Sequence, residues 1–214
     1  MLRPRQLLII FIPAFLIIAA ILFVRILQYE PLFPKQENIE KQPAADFSVP
    51  IFSADPLIGD RQAPTTLIVF SDLGCAHCRL QFSLWEQLMA QYPKKVKIIW
   101  KRLPVVSFPY STELANQYAF CANQQGKFLD FIRLAFTNSN DLSQTIVESL
   151  ARSADLNQEK LQTCLDSGAA QAYLQKTEQL ATLLNIQAVP TIFLNNKQID
   201  PPQVLEGWKT LLNL

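Results

Sequence analysis

Two hydrophobic rhythms alternate along the chain, and the changes of rhythm mark its elements. Thr65–Ser71 is a short apolar run of the kind that a strand buried on both faces carries. From Ala76 to Tyr92, Leu80, Leu84, Leu88 and Met89 recur at helical spacing. Val96–Lys101 reads as a second strand, and Pro104 to Pro109 then breaks the pattern. A helix with Ser111 as its N-cap carries Leu114, Tyr118, Cys121 and Ala122 on one face. Further helices are expected over 126–136, 142–154, 158–166 and 169–184. Thr191–Leu194 and Lys197–Ile199 flank Asn195-Asn196 as a hairpin, and a helix over 202–212 follows with proline near its first turn. The order is β-α-β, a helical block, then β-β-α: an α/β fold. Residues 47–52 are expected to pair as an edge strand.

The N-terminal stretch obeys neither rhythm. Leu7 to Val24 is an uncharged apolar run of eighteen residues, about 27 Å as a helix and long enough for a bilayer core. Arg3 and Arg5 precede it, which orients the remainder of the chain outward. A cleaved signal peptide is the rival reading, but Ala19-Ala20 is followed by Ile21-Leu22-Phe23-Val24, a poor cleavage site. Pro31, Pro34, Pro43, Pro50 and Pro56 punctuate the next segment as a linker. The expected division is an anchor over 1–28, a linker over 29–60 and a domain over 61–214 with a helical insertion at about 104–186. The formal net charge is +1 with Lys and Arg dispersed, so nothing points to nucleic acid.

Chemistry concentrates at Cys75-Ala76-His77-Cys78, directly after the first long strand. A thiol at a strand-to-helix turn sits at the helix N-terminus, where unpaired N–H groups and the macrodipole favour the thiolate. A thiolate beside a second thiol carries out disulfide exchange. The alternative, half of a zinc site, needs two further ligands. His77 is the only histidine in the chain. Outside the cytosol such a pair acts as an oxidant or reshuffler, so the apolar N-terminus and the thiol pair support each other.

The order of elements, with Phe70-Ser71-Asp72 before Cys75 and Cys78 and with Val189-Pro190-Thr191 before Phe193 and Asn195, resembles the DsbA-like thioredoxin-fold thiol oxidoreductases. Asp55-Pro56 with Gly59 resembles a marker of one branch. The resemblance implies a thioredoxin fold with an inserted helical block over roughly residues 46 to 214. It makes Cys75 the nucleophile, Cys78 the resolving thiol and Pro190 a cis-proline. Val189 beside it would pair with an extended substrate. His77 would tune the Cys75 pKa, and Ala76, where many relatives have proline, suggests a somewhat weaker oxidant. Some relatives carry a buried acid six residues before the first cysteine; here that position is Val69, and Asp72, closer to the motif, reads first as a solvated turn-former and alternatively as a substitute for that acid. Cys121 and Cys164 face one helical block, and relatives often pair the corresponding cysteines. A structural disulfide is the first reading, with two buried thiols or a second relay as alternatives.

The resemblance further implies unfolded exported proteins as substrates and a quinone-linked membrane thiol oxidase of the DsbB or VKOR type as partner. The protein would be a membrane-tethered monomer with its domain on the periplasmic or outer face, with no cofactor and no metal. A reductase or isomerase of the same fold is the alternative, and a soft-metal chaperone module a more remote one.

Overall fold

A computed structural model of the chain describes Pro13, residues 15–25 and residues 48–214. Residues 15–25 are helical and their apolar side chains are exposed. The rest of the expected anchor, and the linker as far as residue 47, lie outside the described residues. Among the described residues no helix is long and apolar enough to cross a membrane. The chain divides into units 1–46 and 47–214, and the second holds the sheet and the paired cysteines.

Among the described residues five strands form one sheet. β1 (Leu57–Gly59), β2 (Thr65–Ser71), β3 (Val96–Arg102), β4 (Thr191–Leu194) and β5 (Lys197–Ile199) lie in the order β1-β3-β2-β4-β5. β2 and β3 are parallel and the other neighbours antiparallel. The parallel pair needs a crossover, which α1 (Ala76–Gln91) supplies. Between β3 and β4 stand α2 (Glu113–Gln124), α3 (Phe128–Thr137), α4 (Gln144–Ser153), α5 (Gln158–Asp166) and α6 (Ala169–Leu183); α7 (Leu205–Leu212) follows β5. This is the α/β order with a helical insertion that the periodicity predicts. Asn195 and Asn196 both take positive φ, at 47° and 69°, as a tight hairpin between right-twisted strands demands.

The last helix begins at Leu205 with Val204 as its N-cap and not at 202, so Pro201 and Pro202 precede it; two further boundaries differ for local reasons. The edge strand is Leu57–Gly59 and not residues 47–52. The Phe52 N–H donates to Asp55 Oδ2 at 2.6 Å and the Asp55 N–H returns to the Phe52 carbonyl at 3.0 Å, a turn that ends any extended run there. The N-cap of α2 is Thr112, one residue beyond Ser111, although Ser111 Oγ accepts the Glu113 N–H at 3.3 Å.

β2 is buried on both faces, which explains its unbroken apolar run. Leu67 and Val69 join Ile98 and Trp100 of β3 in the larger core under α1 and the helical block. Ile68 and Phe70 pack with Ile99, Phe193 and Leu180 on the opposite side. Aromatic rings fill the larger core: Phe82 stacks on Phe136 at 4.9 Å, and Trp100 meets Trp85, Phe82 and Phe128 edge-on. Trp208 of α7 lies 6.1 Å from Trp85, and its indole N–H donates to Gln81 Oε1 at 3.0 Å. The C-terminal helix is thereby fixed to α1.

Charge is buried beside β1. Lys101 donates to Asp55 Oδ2 at 2.5 Å with both side chains fully buried, and the Tyr173 hydroxyl donates to Asp55 Oδ1. Lys101 Nζ also lies 3.8 Å from the centre of the Phe52 ring. Burial lowers the Lys101 pKa, and the Asp55 carboxylate opposes that shift. The Asp-Pro sequence marker is therefore a buried ion pair that pins the segment leading into β1.

Cys121 of α2 and Cys164 of α5 form a disulfide, 43 residues apart in sequence. In the chain-entropy account such a loop contributes about 3–4 kcal/mol. The double variant C121A/C164A is expected to lose about that much stability in urea unfolding, with the iodoacetamide reactivity of Cys75 unchanged. An unaltered midpoint would show that the bond contributes nothing.

Candidate active site

β2 ends at Ser71, and the chain turns over Asp72, Leu73 and Gly74 before α1 begins. The Cys75 N–H donates to the Asp72 carbonyl at 3.2 Å and closes that turn. The turn lies tightly against its neighbours. A Cβ on Gly74 would come within 2.6 Å of Thr112 Cγ2 and 3.1 Å of Val106, so glycine is required by proximity.

Cys75 is the N-cap residue of α1, in extended conformation at φ −86° and ψ 120°. Its Sγ accepts the Cys78 N–H at 3.3 Å, the place where serine or aspartate caps an ordinary helix. Cys75 is half-buried and Cys78 fully buried, and both are unbonded thiols. The Cys75 thiol also lies 3.6 Å from the Val189 carbonyl, to which it donates.

The Val189–Pro190 peptide bond is cis and immediately precedes β4. β4 pairs with β2, with Thr191 opposite Phe70, so this loop stands beside the Cys75 turn. Thr191 Oγ1 donates to the Ala188 carbonyl at 2.7 Å and steadies it. Val189, Pro190, Cys75 and Cys78 are thus gathered in one place from opposite ends of the domain. Cys121 and Cys164 belong to the helical block instead.

The two thiols have opposed acidities. The Cys75 pKa falls from 9.0 to about 6, first because the Cys78 thiol hydrogen-bonds to it, against the cost of its partial burial. The main-chain N–H groups of Cys78 and His77 add to the lowering, while the Asp72 charge opposes it. His77 therefore acts here through its backbone, and its side chain is exposed. Cys78 moves the other way: burial drives its pKa far up, and its contact with Cys75 reinforces that.

Asp72 is not the solvated turn-former that the sequence suggests. It is fully buried. Oδ2 accepts the N–H groups of Val105 and Val106 at 2.8 and 2.7 Å, and Oδ1 accepts from Gly74 N–H and Asn116 Nδ2 at 3.3 and 3.4 Å. One carboxylate thereby ties the turn before Cys75 to the loop after β3 and to α2. That loop contains a second cis bond, Phe108–Pro109, and presents Phe108 to solvent. Sequence patterning offers only one clue to this clamp, an acid placed between a buried strand and a buried helix. Among the described residues no cluster of three His, Cys, Asp or Glu side chains is set to hold a metal ion.

A thioredoxin family model matches residues 53–213. The "Na(+)/H(+) antiporter NhaA 3" of Salinispora tropica is 24% identical over 163 residues, 76% of this chain but only 25% of the antiporter. The chain thus spans about a quarter of the length of that relative. "Disulfide bond formation protein D" of Bacillus subtilis is 26% identical over 162 residues, covering 70% of this chain and 72% of that protein. Among solved structures, a thioredoxin-like oxidoreductase from Silicibacter pomeroyi superposes with a TM-score of 0.67 at 21% identity, over 76% of this chain and 92% of that one.

Three measurements check the site. Alkylation of Cys75 by iodoacetamide should titrate with a midpoint near pH 6, against 9.0 for an ordinary thiol, and C78A should move it upward because the strongest stabilising contact, the Cys78 thiol, is lost. Because the folded pKa is depressed, the reduced protein should gain stability over C75A as pH rises from about 6 toward 9, and lose that gain as pH falls through 6. D72A should cost about 2–4 kcal/mol in urea unfolding, since four donors lose a buried acceptor; wild-type stability would show the clamp to be dispensable. By its family match over residues 53–213, the chain belongs to the thioredoxin family.

Proposed function

We propose that the protein is an extracytoplasmic, membrane-tethered dithiol oxidase that introduces disulfides into exported proteins. The observation that carries this reading is the low pKa of Cys75. Above about pH 6 the reduced protein holds Cys75 as a stabilised thiolate, which favours reduction of its own disulfide. Each tenfold gain in acidity raises a two-electron potential by about 30 mV at a pH above the pKa. An acidic first cysteine therefore makes the disulfide form a ready acceptor of electrons.

In the reaction, a substrate thiolate attacks Cys75 Sγ of the oxidised pair. The Cys75–Cys78 bond breaks, its electron pair leaves on Cys78, and a mixed disulfide forms at Cys75. A second substrate thiolate attacks the substrate sulfur of that bond, and Cys75 departs as thiolate. The substrate gives up two electrons and two protons, and the protein pair ends reduced. The half-exposed Val189 and Pro190 border Cys75 and suit an extended substrate segment, with the Val189 carbonyl as acceptor. His77 is exposed beside Cys75, within the motif that a bound substrate would meet.

Three features support an exported site of action: the apolar run Leu7–Val24 behind Arg3 and Arg5, a disulfide away from the redox pair, and likeness to a protein named for disulfide bond formation. A membrane thiol oxidase linked to quinone would return the pair to its disulfide. The deciding measurement is the Cys75–Cys78 reduction potential in glutathione buffers. A value well above about −200 mV is expected, and one near about −270 mV or lower would make the protein a reductase instead.

A further inference from the structure

Every turnover forces charge onto Cys78. When the Cys75–Cys78 bond breaks, the electron pair leaves on a sulfur that is fully buried, where the surroundings oppose an anion. A nearby donor is therefore needed while the charge lasts.

The charged groups around that sulfur are largely committed elsewhere. The Asp72 carboxylate is occupied by four donors and carries the wrong sign. Lys101 is paired with Asp55 beside β1. Arg102 stands in register with Ser71 on β3, but its guanidinium lies over the rings of Phe120 and Tyr173, at 5.1 and 4.5 Å. Val69 contributes only an apolar surface to the face that holds Cys78.

Ser71 is different. It is the last residue of β2 and is fully buried. Strand alternation puts it on the same face as Leu67 and Val69, the face that packs against Cys78. Its Oγ has no hydrogen-bond partner, and a buried hydroxyl left in that state is costly unless something satisfies it when charge develops nearby. The groups that favour the Cys78 thiolate are this hydroxyl and the Asp72 N–H. The orphaned hydroxyl and the buried leaving sulfur lie on the same face of the sheet, and each can supply what the other lacks.

We propose that the Ser71 hydroxyl is a catalytic hydrogen-bond donor to Cys78 Sγ, stabilising that sulfur as it leaves the Cys75–Cys78 bond and again as it returns to resolve the mixed disulfide. Ser71 keeps its own proton throughout. The proton that finally neutralises Cys78 comes from solvent, and electrons pass only between the substrate sulfurs and the Cys75–Cys78 pair. The group acts on the barrier in both directions, because Cys78 is uncharged in the resting disulfide and in the resting dithiol alike.

The test uses S71A and S71T in the full chain. Two rates are measured: reduction of the oxidised protein by glutathione, and resolution by Cys78 of a preformed Cys75–glutathione mixed disulfide. The reduction potential and the Cys75 titration are recorded on the same preparations. S71A should slow both rates about tenfold, the scale of one hydrogen bond to a charged group, with potential and Cys75 titration unmoved. S71T keeps a hydroxyl and should retain wild-type rates. Unchanged rates in S71A overturn the proposal. So does an S71T as slow as S71A, or a slowing that comes with a shifted potential, since each points to packing and not to the hydroxyl. The inference rests on the exchange activity, whose own failure reads out separately as a wild-type protein inert to glutathione, a result that removes both.

Discussion

Asp72 accepts hydrogen bonds from the main chain of Val105, Val106 and Gly74 and from the side chain of Asn116, with its carboxylate wholly out of solvent. A buried carboxylate is tolerable only when its oxygens are filled with donors, and this one is. The consequence is geometric. The turn before Cys75, the loop after β3 and the first turn of α2 are fastened to a single group, so the sulfur is delivered to the helix N-terminus in one orientation. The same carboxylate charge works against the Cys75 thiolate. The site therefore relies on local donors strong enough to outweigh it: the Cys78 thiol and the N–H groups of Cys78 and His77.

A second buried ionic group serves the framework and not the chemistry. Asp55, Lys101 and Tyr173 join the segment before β1, the end of β3 and the helix α6. Removing charges from water is expensive, and apolar residues of similar shape often stabilise a core as well or better. What the cluster supplies is a fixed register for a three-residue edge strand that has little apolar surface of its own. Arg102 carries this further: its Nε and Nη2 have no partner and the guanidinium is held among aromatic faces. Burial alone lowers its pKa, with Tyr173 and Asp55 acting in opposition.

The opposed acidities of the two cysteines follow from three residues of separation. One helical turn takes Cys75 from the half-exposed mouth to Cys78 in the fully buried core. The thiol that remains protonated in the core becomes the donor that keeps the outer one ionised. Low acidity within and high acidity without are thus one arrangement seen from two sides.

Much of this was legible in the residues. The unbroken run Thr65–Ser71, the helical spacing of Leu84 and Leu88, and the paired asparagines at 195–196 each fix backbone locally, because propensity and pattern act over a few neighbours. The Cys75–Cys78 spacing likewise determined a capped thiol at a strand-to-helix turn, since both sulfurs lie within one turn of one helix. What the sequence could not decide depends on partners far along the chain. Asp72 looks like any turn acid until Val105, Val106 and Asn116 fold over it. Residues 47–52 look like an edge strand until the Asp55 carboxylate, anchored by Lys101 and Tyr173, turns the backbone at Phe52. Burial is a property of the assembled core. It alone decides whether a carboxylate is a solvated ornament or a clamp, and whether a serine hydroxyl at the end of a strand meets water or sulfur.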